Sequence, residues 1–202
     1  IQRAPTTLLC LENTFDLNRG LAVPGDHIRE VCDLALRKSV RVYLDGARIF
    51  NAAIALGTTV ARLVQGADVA ATCLSKGLGC PVGSLLVGTR DFIAEARRMR
   101  QRLGGGWRQA GVLAAAGIVG MEEMVDRLAE DHEKAGCLAQ GLIDLGLGVD
   151  PEQVQTNIVL RQALLQLREQ RHAVLGHVGL DDQNLSHGPQ NLHRSPRVAR
   201  QA

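Results

Sequence analysis

The segment Cys73-Leu-Ser-Lys-Gly-Leu-Gly-Cys-Pro-Val-Gly83 places a single lysine, Lys76, between a serine and a glycine. An apolar run at 67–74 precedes this lysine, and a second run at 82–87 follows it. We interpret both runs as short buried strands, because each is brief, apolar and bounded by turn-forming residues. Lys76 is therefore predicted to lie on a loop at the edge of a sheet.

Strands and helices alternate along the first half of the sequence. Strands are predicted at 8–11 and 40–44, and helices at 24–36 and 47–56. This order predicts βαβ units and a mainly parallel sheet, hence an α/β fold. Ligands bind outside the carboxyl ends of such strands, and Asp45 follows one predicted strand end directly.

The second half of the chain is mostly helical by pattern. A basic amphipathic helix is predicted at 91–103, and three glycines at 104–106 separate it from one long helical stretch over 107–138. Residues 157–160 are predicted to be a strand of a smaller second domain. The predicted divisions are a large α/β domain, the start of a small C-terminal α+β domain and a divergent tail, at residues 1–115, 116–161 and 162–202.

Composition and charge exclude several classes of protein. Hydrophobic residues make up 46% of the 202 residues and charged residues 22%, as in ordinary globular proteins. The formal charge of +2 gives no reason to expect nucleic-acid binding, and no apolar run reaches the roughly 20 residues of a membrane span. Five cysteines without a C-x-x-C pair predict reduced thiols and a cytoplasmic protein. The late histidines lack metal-ligand spacing, so no metal is expected.

Lys76 and Asp45 form the central hypothesis about chemistry. A lysine on such a loop could form a Schiff base with the aldehyde of pyridoxal 5′-phosphate (PLP). An ionised aspartate beside the pyridine nitrogen would keep that nitrogen protonated. Arg48 could bind a substrate carboxylate or the phenolic oxygen of the cofactor. Structural alternatives stay open for each residue: a solvated surface lysine, a helix N-cap and an exposed helix arginine, respectively.

Four ordered blocks of the sequence resemble one known family. They are Leu-Cys-Leu-Glu-Asn-Thr at 9–14, Leu-Asp-Gly-Ala-Arg-Ile-Phe-Asn-Ala at 44–52, Cys-Leu-Ser-Lys-Gly-Leu-Gly-Cys-Pro-Val-Gly-Ser at 73–84 and Leu-Gly-Gly-Gly-Trp-Arg-Gln-Ala-Gly at 103–111. Their order and spacing are similar to those of the low-specificity L-threonine aldolases, in the β-eliminating lyase group. Four ordered blocks are far more specific than any single motif.

The resemblance implies a fold, a reaction and a set of site residues. The fold is the aspartate-aminotransferase-like type I fold of PLP-dependent enzymes, with a mixed but mostly parallel sheet. The reaction is retro-aldol cleavage of L-threonine or L-allo-threonine to glycine and acetaldehyde. Lys76 would carry the Schiff base, Asp45 would pair with the pyridinium, and Arg48 would lie against the ring oxygen or the substrate carboxylate. Further cofactor contacts would come from Ser75, Arg108 and Asn13, in a homodimer or homotetramer.

The sequence also departs from the family pattern. We expect a partial chain, without the upstream segment that supplies a phosphate loop and a ring-stacking histidine in the family. Phe15 stands where the family commonly has histidine, and Gln101 where it often has lysine. No arginine after Gln162 matches the one that binds the substrate carboxylate. The alternative functions are a non-catalytic remnant that associates with other subunits, and a PLP-dependent lyase of another specificity.

Overall fold

Four short strands form one sheet in the computed structural model, which describes residues 4–160. In chain order and side by side, they are β1 (Leu8–Glu12), β2 (Arg41–Asp45), β3 (Val69–Cys73) and β4 (Ser84–Gly88). The first three strands run parallel, whereas β4 runs antiparallel to β3. The predicted α/β fold with a mostly parallel sheet is therefore confirmed.

Helices form the connections between strands and most of the chain beyond the sheet. The connections contain α1 (Gly25–Arg37), between β1 and β2, and then α2 (Ile49–Ala55) and α3 (Val60–Leu63), between β2 and β3. Three further helices follow β4, namely α4 (Arg90–Arg102), α5 (Gly111–Glu123) and α6 (Leu128–Asp144). Among the described helices, none combines the length and the apolar character needed to cross a bilayer.

One face of the sheet is covered by the connecting helices. Side chains alternate between the two faces along a strand, so Val42 and Leu44 of β2 share a face. Both are buried, with exposed fractions of 2% and 0%. Val42 packs in one apolar cluster with Ile28 of α1, and Leu44 packs in another with Ile49 and Leu63. Burial of each such side chain contributes about 1.5–3 kcal/mol to folding.

The opposite face of the sheet carries the charged side chains of β1 and β2. On it lie Leu8, Cys10, Glu12, Arg41, Tyr43 and Asp45, and we call it the open face. These six residues are exposed or half-buried within the described part of the chain. The two carboxylates of the open face lie at the carboxyl ends of their strands, where ligands of parallel sheets bind.

The predicted long helix over 107–138 is wrong, because the chain breaks between α5 and α6. Leu128 begins α6 and is 1% exposed, packed in one cluster with Leu74, Leu78 and Cys80. Helical periodicity continues through the break, but this tertiary contact fixes where the second helix begins. Sequence pattern alone does not contain that contact.

The predicted strand at 157–160 is also wrong, because these residues pair with no strand in the described range. The segment is instead held by side chains. The Thr156 hydroxyl donates a hydrogen bond to the Gly20 carbonyl oxygen at 2.9 Å. Gly20 has φ +65°, and a Cβ there would meet Ile158 Cδ1 at 2.6 Å, so the segment packs closely on this glycine.

The described residues form one compact unit. The division predicted between residues 115 and 116 stays a prediction. The tail predicted at 162–202 lies outside the described residues.

Candidate functional site

The candidate site lies where β2 and β3 end. Because these strands are parallel neighbours, their carboxyl ends meet at the same edge of the sheet. Asp45 is the last residue of β2 and lies opposite Ala71 of β3 on one side and Glu12 of β1 on the other. The loop that carries Lys76 begins directly after β3. The topology thus brings the lysine loop and the aspartate to one edge.

Asp45 is fixed by a tight turn over the neighbouring strand. Its Oδ1 accepts a hydrogen bond from the Ala47 N–H at 3.0 Å, and the Gly46 N–H donates to the Ala71 carbonyl oxygen at 2.8 Å. A Cβ on Gly46 would lie 2.9 Å from that same oxygen, so the close approach requires glycine. The N-cap of α2 is Arg48, not Asp45. The N-cap alternative for Asp45 is therefore wrong.

Arg48 presents an unpaired guanidinium beside this turn. The residue is half-buried, and its carbonyl oxygen accepts the Ala52 N–H at 3.2 Å in the first turn of α2. Among residues 4–160, no carboxylate lies within ion-pair distance of its side chain. An arginine held this way can bind a carboxylate or another anion through two parallel hydrogen bonds.

The loop that carries Lys76 is held from below by buried side chains. Leu74, Leu78 and Cys80 are 5%, 3% and 7% exposed, and they pack against Leu128 of α6. The Cys80 N–H donates to the Leu74 carbonyl oxygen at 3.1 Å and closes the loop. Lys76 lies on the exposed part of the loop. Its amine is thus accessible while the backbone below it is anchored, which suits a nucleophilic lysine.

A polar pair of one buried and one half-buried side chain supports the loop from the helices. Asn51 of α2 is 2% exposed, and its Nδ2 lies 3.1 Å from Nε2 of His132 on α6. A Cβ on Gly77 would lie 3.3 Å from Asn51 Oδ1 and 2.6 Å from Leu128, so the loop rests directly on this pair. Burial lowers the pKa of His132, although the Asp131 carboxylate opposes that shift. The neutral imidazole can accept the Asn51 hydrogen bond.

Glu12 links the charged groups of the site electrostatically. Partial burial raises the pKa of its carboxyl group, and the negative charges of Asp45 and Asp16 raise it further. The positive charges of Lys76 and Arg48 act on the same carboxyl group and lower the pKa. Sequence reasoning missed Glu12. The signal that could have found it is its position at the end of the strand beside Asp45.

Three other predicted site residues are placed differently. Asn13 is 1% exposed. Its Nδ2 donates a hydrogen bond to the Val23 carbonyl oxygen, and its Oδ1 accepts one from the Val23 N–H, at 3.0 Å each. Ser75 is exposed, with Oγ 3.3 Å from the Cys73 sulfur. Arg108 is exposed in the segment between α4 and α5. The charges of Asp45, Arg48 and Lys76 all act on Glu12. No hydrogen bond among residues 4–160 joins the side chain of Asn13, Ser75 or Arg108 to these groups.

The sheet order and the lysine loop define a class of protein. The fold is the aspartate-aminotransferase-like fold, type I among PLP-dependent enzymes, as the resemblance implied. The chain belongs to the β-eliminating lyase family, which matches residues 1–164.

Individual proteins similar to this chain are consistent with membership of this family. The chain is 46% identical over 155 residues to low-specificity L-threonine aldolase 1 of Arabidopsis thaliana, covering 76% of this chain and 43% of that protein. It is 42% identical over 176 residues to the low-specificity L-threonine aldolase of Escherichia coli K12, covering 87% and 50%. The chain thus spans about half the length of the curated relatives it matches.

A solved structure has the same fold. It is described as an aromatic amino acid β-eliminating lyase/threonine aldolase from Exiguobacterium sp. 255-15. The TM-score is 0.69 at 26% sequence identity, and the match covers 74% of this chain and 43% of that structure.

We predict that stability falls in mild acid because of His132. Its pKa is lower in the folded protein than the ordinary value of 6.5, so the unfolded chain takes up this proton first. The stability supplied by neutral His132 is complete above about pH 6.5 and is lost as the pH falls through the folded-state pKa. Urea unfolding between about pH 7.5 and 5 measures this loss.

His132→Gln should unfold with a weaker dependence on pH, because glutamine can accept a hydrogen bond without titrating. His27→Gln, on the exposed side of α1, is the matched control and should leave the slope unchanged. Equal slopes for the wild type and His132→Gln would contradict the assignment.

Proposed function

We propose that this chain is part of a PLP-dependent aldehyde lyase that cleaves L-threonine and L-allo-threonine to glycine and acetaldehyde. Two relatives of 42% and 46% identity, each named low-specificity L-threonine aldolase, support the reaction. The observation that carries the proposal is the placement of Lys76. This lysine is exposed on an anchored loop, at the same sheet edge as Asp45 and as Arg48, which forms no ion pair within residues 4–160.

The groups at this edge suit PLP in number and kind. The Lys76 amine can bond to the aldehyde carbon, and the Asp45 carboxylate can accept a hydrogen bond from a protonated ring nitrogen. Ala71 lies opposite Asp45 in the ladder, and its methyl side chain leaves room for a flat ring on the same face. Ser75, Asn13 and Arg108 remain proposed contacts to the phosphate or the ring oxygen.

Each residue would supply a separate part of the chemistry. When bound, the cofactor supplies an electron sink for the electrons released at the substrate Cα. Asp45, oriented by the hydrogen bond from the Ala47 N–H, would keep a proton on the ring nitrogen. Arg48 would bind the substrate carboxylate with its fork of N–H groups and so orient the bond between Cα and Cβ. The free amine of Lys76 would be available to move a proton at Cα after substrate has displaced it.

We also propose a homo-oligomeric, cytoplasmic protein. The helix α5 is apolar on all sides, and its Val112, Ile118 and Val119 are exposed by 74%, 52% and 49%. Helices of this composition are normally buried, which supports contact with a second copy of the chain. All five cysteines are free thiols, which supports a reducing compartment.

The proposed reaction predicts acetaldehyde release from L-threonine when the purified chain is supplied with PLP. Coupling to alcohol dehydrogenase and following NADH consumption measures it. Lys76→Ala should abolish the PLP-dependent rate, because the covalent attachment point is lost. Lys134→Ala is the matched control, since this lysine is exposed on α6 and only pairs with Glu130 at 3.5 Å. A folded, PLP-binding chain that releases no acetaldehyde would favour the non-catalytic remnant.

The proposed assembly predicts a mass in light scattering of at least twice the 21.7 kDa of one chain. Ile118→Lys should reduce that mass to the monomer value, because a charge would be placed in the apolar contact. Leu138→Lys, at an exposed position of α6, is the control and should leave the mass unchanged. A wild-type chain that stays monomeric at micromolar concentration would contradict the assembly.

A further inference from the structure

Glu12 lies directly beside Asp45 on the open face. The two residues are register partners in the parallel ladder of β1 and β2, so their side chains point to the same side of the sheet. Neighbouring strands are about 4.8 Å apart, which brings two carboxyl groups within mutual reach. The burial alternation of β1 agrees, because Leu9 and Leu11 pack into the core while Glu12 does not.

The two carboxyl groups differ in their hydrogen-bond partners. Asp45 Oδ1 accepts the Ala47 N–H at 3.0 Å, which fixes the orientation of that carboxylate. The carboxyl group of Glu12 accepts no side-chain hydrogen bond from another residue among 4–160. Burial and the negative charge of Asp45 raise the pKa of Glu12.

The other charges around Glu12 come from three segments. Asp16, in the turn after β1, and Asp45 are negative and favour proton uptake, while Arg48 and Lys76 are positive and oppose it. Tyr43 lies between these segments on the open face, and its own pKa is raised by burial and then by Asp45, Cys10 and Glu12. The pKa of Glu12 therefore depends on the charge of Asp45.

We propose that Glu12 is a positioning residue that acts through Asp45. Its carboxyl group lies beside Asp45 on the open face, and its negative charge strengthens the negative potential at the carboxylate that would face the cofactor ring. The effect of Glu12 on PLP binding rests on the proposed function. The electrostatic interaction between Glu12 and Asp45 does not, because it needs no cofactor.

The pairing is tested first in the protein without PLP. Carbon-13 labelling of glutamate side chains allows the carboxyl signal of Glu12 to be followed by NMR as a function of pH, with Glu12→Gln assigning the signal. We expect a midpoint above the ordinary value of 4.5, and a lower midpoint in Asp45→Asn, because the neighbouring negative charge is then removed. An unchanged midpoint in Asp45→Asn would overturn the pairing, whatever the enzyme activity proves to be.

The consequence for the ring is tested by PLP titration followed by absorbance. We expect Glu12→Gln to remove one ionisation from the pH dependence of PLP binding and to weaken binding by roughly tenfold at neutral pH, the equivalent of one pKa unit. Glu133→Gln, an exposed change on α6, is the control and should alter neither. Identical pH profiles for Glu12→Gln and wild type would overturn the positioning role. If no variant or wild type binds PLP, the proposed function fails and the NMR result alone decides the pairing.

Discussion

The parallel pairing of β2 with β3 is the constraint on which the site depends. It aligns the ends of two strands, so that Asp45 and the loop of Lys76 share one edge. The pairing is completed by the Gly46 N–H, which donates to Ala71 and forces the chain to turn close over β3. A slip of one residue would point Asp45 into the apolar core, where an unpaired carboxylate is strongly disfavoured.

The fold was predictable because its signals are local, and the same signals led to the prediction of the central site residues. Short apolar runs and glycine punctuation mark the strands, and Lys76 and Asp45 stand out as charged residues just past strand ends. The site partners that were missed depend on long-range contacts. Glu12 is identified by strand register, and Asn51 meets His132 across 81 residues of sequence. The helical and strand periodicity of a sequence does not indicate strand register or contacts between distant residues. The break before Leu128 was missed for the same reason.

The described structure also explains how the exposed Lys76 can lie on an anchored loop. Leu74, Leu78 and Cys80 of its loop are buried against Leu128 of α6. The Asn51–His132 pair lies under Gly77. The rigidity of the loop therefore comes from helices distant in sequence. The open face, by contrast, is not covered by the described residues, whereas mainly parallel sheets are usually covered on both sides. The chain spans only about half the length of its curated relatives.

The most direct test of the proposed site is which lysine PLP labels. The chain contains three lysines, at positions 38, 76 and 134, so incubation with PLP, reduction with borohydride and peptide mass spectrometry can distinguish them. We predict a pyridoxyl group on Lys76 and on neither of the other two at stoichiometric PLP. Equal labelling of all three lysines, or labelling that avoids Lys76, would contradict this prediction.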